Sequence, residues 1–121
     1  MAVLISKILG AVFVLTGIAG FLTGHHNHTL LLFGVNLPHN VVHLLSGIFA
    51  LWAGFQGEKY AKMYCLGFGA VYGLVTVLGF MNISAVTGLL NLNMADNYLH
   101  AGITAVLILG GLSSHCCAGK A

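Results

Sequence analysis

Two short stretches hold the side chains best able to do chemistry. In "NLPHNVVHLLSG", residues 36–47, His39 and His43 stand four apart, and in "NMADNYLHAGIT", residues 93–104, Asp96 and His100 repeat that spacing. Residues four apart stack on one face of a helix, so each pair points both groups the same way. Three imidazoles and one carboxylate form a ligand set for Zn, Fe, Mn or Cu. Imidazole is a neutral borderline donor, and Asp96 brings the charge that a cation in apolar surroundings requires. Asn40 and Asn97 are the candidates to orient the rings from behind. Alternatively, His43 and His100 ligate a haem iron axially from opposite faces. Covalent attachment of the C-x-x-C-H type is excluded, because the chain has no such motif. A third reading is structural: His and Asp near helix starts cap helices and hydrogen-bond across a bundle.

Two other groups carry ligand-type side chains. His25, His26 and His28 fall in the polar tract 23–29, a short His-rich tract of the metal-collecting kind, read here as an ordinary polar loop. His115, Cys116 and Cys117 lie near the carboxyl end. Adjacent cysteines close a disulfide poorly. Soft-metal binding by His115, Cys116 and Cys117 is the alternative to reading these cysteines, with Cys65, as reduced, incidental thiols on the cytoplasmic side.

The elements that position these residues follow from charge and hydropathy. Only 5% of the 121 residues are charged, against about a quarter in ordinary soluble domains. The six charges are Lys7, Glu58, Lys59, Lys62, Asp96 and Lys120, leaving uncharged runs at 8–57, 63–95 and 97–119. A helix needs roughly 20 apolar residues to cross the hydrocarbon layer. The first run is interrupted by residues 23–29 and 36–40, so it supplies two spans. Four helices are therefore expected, at about 4–23, 38–56, 61–81 and 95–114. The expected fold class is all-α: one transmembrane domain, 1–121, forming an integral membrane four-helix bundle.

Lys7 ahead of an apolar run also fits a signal peptide, but no Ala-x-Ala-like cleavage site follows, so the first helix is read as retained. Positive residues favour the cytoplasm. Both termini and residues 57–62 are expected there, with residues 24–37 and 82–94 on the opposite side beside most of the histidines.

The chain also repeats itself. Placing residue 36 on residue 93 aligns Asn36 with Asn93, Asn40 with Asn97, His43 with His100 and His39 with Asp96; Gly20-Phe21 resembles Gly79-Phe80 at nearly the same offset. Halves of about 1–57 and 58–121 would each be a two-helix hairpin entering the membrane in the same direction, a parallel repeat. Pro38 suits a first helical turn, and Asn36, Asn93 or Asp96 suits a cap. Ser46, Ala50 and Gly54 continue the His39–His43 stripe, Thr104, Leu107 and Gly111 continue the other, and Gly10, Gly17, Gly20, Gly69 and Gly73 mark seams of close helix approach.

"HNVVHLLSG" and "DNYLHAGI", each opening a helix of a four-helix chain, resemble a family of small bacterial membrane proteins classed as a domain of unknown function. The resemblance covers essentially the whole chain and rests on His39, Asn40, His43, Gly47, Asp96, His100 and Gly102. It implies a bacterial inner-membrane setting and no particular activity.

An enzyme is not expected: there is one Asp, one Glu, no Arg, and neither a Ser-His-Asp order nor a nucleotide loop. Two readings remain. One is a membrane protein binding a transition metal (Zn, Fe or Cu) or haem. The other is a non-catalytic accessory subunit of a larger membrane complex, its His/Asp cluster a hydrogen-bond network. The partners expected are the lipid bilayer and either further copies of the chain or a larger assembly, with no nucleic acid.

Overall fold

The structure, a computed structural model, describes residues 1–24 and 26–114. Its elements are α1 (Ala2–Thr23), β1 (His28–Leu30), β2 (Phe33–Val35), α2 (Leu37–Gln56), α3 (Glu58–Phe80), α4 (Ser84–Leu90) and α5 (Met94–Ser113). The mainly helical class is as expected from sequence, and the four long helices fall near their expected bounds.

Three details differ. The expected start of the third helix moves back to Glu58 because Gly57, at φ 118°, turns the chain directly out of α2. Lys59 and Lys62 thus belong to α3 and not to a loop. The expected polar loop at 24–37 contains an antiparallel hairpin pairing His28 with Val35 and Leu30 with Phe33. Residues 82–94 contain the short helix α4.

Helix α1 packs chiefly on α2, and α3 on α5. The seams are glycine surfaces that admit a neighbouring backbone or amide. A Cβ on Gly10 would stand 2.9 Å from the Leu51 nitrogen, and one on Gly47 2.7 Å from the Val14 nitrogen. A Cβ on Gly20 would run into the Asn40 amide, and one on Gly79 into the Asn97 amide.

Across the middle, residue 6 meets residue 65, 13 meets 72 and 43 meets 100. Ser6 Oγ lies 3.7 Å from Cys65 Sγ, the Phe13 and Tyr72 rings stack at 5.5 Å, and the His43 and His100 rings are 6.1 Å apart. The first turns of α2 and α5 therefore meet at one end. Their last turns pack beside the starts of α1 and α3, Gly54 on Lys7 and Gly111 on Leu66. The two helices run in the same direction. Lys7, stacked over Phe55, and Lys62, donating to the Ser114 carbonyl at 3.0 Å, occupy the end opposite the hairpin.

Helices α1 and α3 are long and apolar enough to cross a membrane. Polar first turns keep α2 and α5 outside that pair. Large apolar side chains cover the outside: Leu15 is 67% exposed, Phe55 72% and Leu109 66%. The interior combines a few large side chains, Phe13, Tyr72 and Leu107, with many small and polar ones, among them Ser6, His39, Asn40, Ser46 and Asp96. Water-soluble domains seldom set so many large apolar side chains outside so polar an interior.

Candidate metal centre

The two helix starts are built alike and deliver different groups. Asn36 caps α2, its side-chain oxygen accepting from the His39 N–H at 3.0 Å. Asn93 caps α5 and accepts from the Asp96 N–H at 2.9 Å. His39 and Asp96 thus hold the same third position of their helices. An aspartate there can reach back to the cap, and Asp96 Oδ2 accepts from the Asn93 N–H at 2.9 Å, closing a capping box. The same oxygen accepts from the Gly34 N–H of β2 at 2.9 Å. His39, without a carboxylate, turns its ring inward.

Inside, His39, His43 and His100 offer ring nitrogens that all lie within 4.8 Å of one another. All three are at most 5% exposed. His39 and His43 stack at 4.6 Å with their Nε2 atoms 2.9 Å apart. His100 stands edge-on to His39 at 5.6 Å. The Nδ1 atoms of all three have no hydrogen-bond partner. Phe13 packs on His43 at 5.5 Å, and Tyr72 packs on His100 at 5.6 Å while its hydroxyl donates to Ser46 Oγ.

Three of the four expected ligands therefore come together. Asp96 stands beside them, its Oδ2 held by two backbone N–H groups. Asn40 and Asn97 do not orient the rings. Each amide faces the glycine of the neighbouring helix, Gly20 or Gly79; both Asn40 amide atoms lack a partner, and Asn97 Nδ2 reaches Met94 Sδ at 3.9 Å. The reason is spatial: Asn40 and Asn97 each follow the third residue of their helix, His39 or Asp96, and so lie about 100° further round it, toward α1 or α3.

His26 and His28 sit at the exposed start of the hairpin, where His28 bonds Thr23 Oγ1 at 2.8 Å and the His26 carbonyl at 2.6 Å. Among the described residues they join no metal-competent group. His25, His115, Cys116 and Cys117 lie outside the described residues. Cys65 is a buried free thiol.

Sequence reasoning missed Gly34, Phe13 and Tyr72. The last two were within reach, since 13 and 72 share the offset that relates Gly20 to Gly79.

A single ion fits these residues. Ligands about 2.0–2.1 Å from a tetrahedral ion stand about 3.3 Å from one another, so the rings need move only modestly to take one. Buried polar groups without partners are costly.

Fold and site thus define a mainly helical protein of apolar exterior with a buried three-histidine cluster beneath a small hairpin. A domain of unknown function, DUF4383, matches residues 4–113, and the chain belongs to that family. This agrees with the resemblance drawn from the two helix-start motifs. No curated protein and no solved structure matches the chain.

Proposed function

We propose that this is a multi-pass membrane protein that holds one divalent transition-metal ion on His39, His43 and His100. The observation that carries the reading is the set of three buried rings whose donors lie within 4.8 Å and whose Nδ1 atoms have no partner. Three neutral imidazoles suit Zn, Fe or Cu. Zn is the first choice, since three histidines leave a tetrahedral ion one open position. A haem between His43 and His100 is the weaker variant, because His39, Phe13 and Tyr72 fill the space its macrocycle would take.

The membrane setting is supported by the apolar exterior and by α1 and α3. In our reading α2 and α5 cross as well, forming a four-helix bundle. The pairs 6–65, 13–72 and 43–100 then mark a pseudo-two-fold axis along the membrane normal, relating two halves. Lys7, Lys59 and Lys62 at the end opposite the histidines favour a cytoplasmic location for both termini in a bacterial inner membrane. The function is binding, not catalysis, and the apolar flanks suit further copies or a larger membrane assembly.

A second reading has one observation in its favour. The 2.9 Å contact between His39 and His43 is a hydrogen bond if one ring donates, which suits a structural network in an accessory subunit. Metal content of the purified protein separates the two. The metal reading expects one Zn per chain, lost in His43→Ala and kept in His115→Ala. A metal-free protein that takes up no Zn, and in which His43→Ala only lowers stability, would leave the structural network.

A further inference from the structure

A cleft of about 530 Å³, open on one side, runs between α1, the hairpin and the first turns of α2 and α5. That volume lies within the range of about 300–1,000 Å³ typical of small-ligand sites. Its polarity is one-sided. His39, His43 and Asp96 line it beneath the hairpin, and the walls are otherwise almost wholly apolar. The Thr16 hydroxyl is spent on the Val12 carbonyl at 2.7 Å. The lip consists of apolar side chains that also face outward, Leu31 at 86% exposure, Leu15 at 67% and Val12 at 49%. Gly20 lies level with Asn40 near the hairpin, and Ser6 lies at the far end beside Cys65. Leu15 and Val12 are therefore progressively deeper along α1. A molecule seated here would have one polar end under the hairpin and an apolar tail running down α1.

We infer that this cleft seats a long-chain carboxylate drawn from the bilayer, its head at the three-histidine ion and its chain along Leu15 and Val12. The inference rests on the metal reading above. Three histidines leave one coordination position open, and the cleft leads to two of those histidines. Asp96, beside the cluster in the same lining, offsets one of a divalent ion's two charges, and one anionic head offsets the other in a medium that solvates neither. The apolar lip selects a chain that already resides among lipids, while a short water-soluble acid gains nothing from those walls.

The test uses the full chain in phosphatidylcholine nanodiscs, loaded with Co²⁺ and freed of excess ion. Tetrahedral Co²⁺ reports its fourth ligand in the visible spectrum. Palmitate should shift that spectrum and saturate at one per chain, while acetate at equal concentration should leave it unchanged. Ala19→Trp, which fills the cleft from α1, should keep one Co²⁺ and weaken the palmitate response at least tenfold. If that variant does not fold, Leu31→Asp serves, because position 31 has φ 57°, a conformation aspartate tolerates, and its charge repels the head. A normal Co²⁺ spectrum that ignores palmitate, answers acetate equally, or keeps its palmitate response in these variants overturns the cleft proposal and leaves the metal site standing. Failure to bind Co²⁺ or Zn²⁺ at all overturns both.

Discussion

The Gly34 N–H donates to Asp96 Oδ2 at 2.9 Å, joining residues 62 apart in the chain. The same oxygen takes the Asn93 N–H, so one carboxylate fixes the hairpin over the cluster and starts α5. A group so committed acts as a scaffold next to the histidines.

Removing it should therefore cost stability and spare metal. Asp96→Ala leaves one buried and one half-buried N–H group without an acceptor, a loss of about 2–4 kcal/mol. Thermal unfolding in detergent should show a clearly lowered midpoint, while Zn per chain stays at the wild-type value. A variant that loses its metal but not its stability would return Asp96 to the ligand set.

The paired glycines make a sharper structural test. Gly20→Ala places a methyl in the Asn40 amide, and Gly79→Ala does the same to Asn97. Overpacking of this kind costs about 1–3 kcal/mol, and the two substitutions should be comparable if the halves are equivalent. Gly102, in mid-helix with nothing near its Cβ position, should instead gain about 0.5–1 kcal/mol as alanine. Unfolding measured on all three variants in one detergent decides it; a Gly102→Ala that destabilises as much as Gly20→Ala would contradict these seams.

Tyr72→Phe isolates a single buried bond. Its hydroxyl donates to Ser46 Oγ at 3.1 Å, so its loss should lower stability by about 1 kcal/mol. The ring that packs on His100 remains, and Zn stoichiometry should not change. Loss of metal in this variant would mean that the hydroxyl, and not only the ring, serves the site.

Topology is open to labelling. In a background lacking native cysteines, Asn27→Cys and Gln56→Cys both present exposed positions, at the hairpin start and the α2 end. An impermeant maleimide should reach Asn27→Cys from outside intact cells and Gln56→Cys only after the membrane is opened. Labelling of both from one side would defeat the proposed orientation.

Much of the site is written locally. The types and spacing of His39 and His43, and the position of His100 within α5, follow from helical periodicity. Asn36 and Asn93 cap where a polar side chain precedes an apolar helix, because orphan N–H groups of a first turn need an acceptor wherever the helix sits. The long helices follow from apolar runs of spanning length with charges only near their ends.

Partner choice was not local. The hairpin "HTLLLFGV" has no Asn-Gly turn signal. It is held by side chains from far along the chain: Asn91 to the His28 and Val35 carbonyls, Asn93 to that of Leu32. Asp96 had equal reason, by sequence, to join the histidines. Its place was decided by Gly34, whose N–H becomes available only when the hairpin folds over α5. Asn40 was decided by Gly20, whose missing side chain leaves space for an amide. The sequence by itself determined the apolar helices, their caps and the imidazoles on them, because periodicity and composition act within a few residues. Only the tertiary structure decided which polar groups meet, because hydrogen bonds and ligand sets depend on sub-ångström distances between elements that the chain order does not encode.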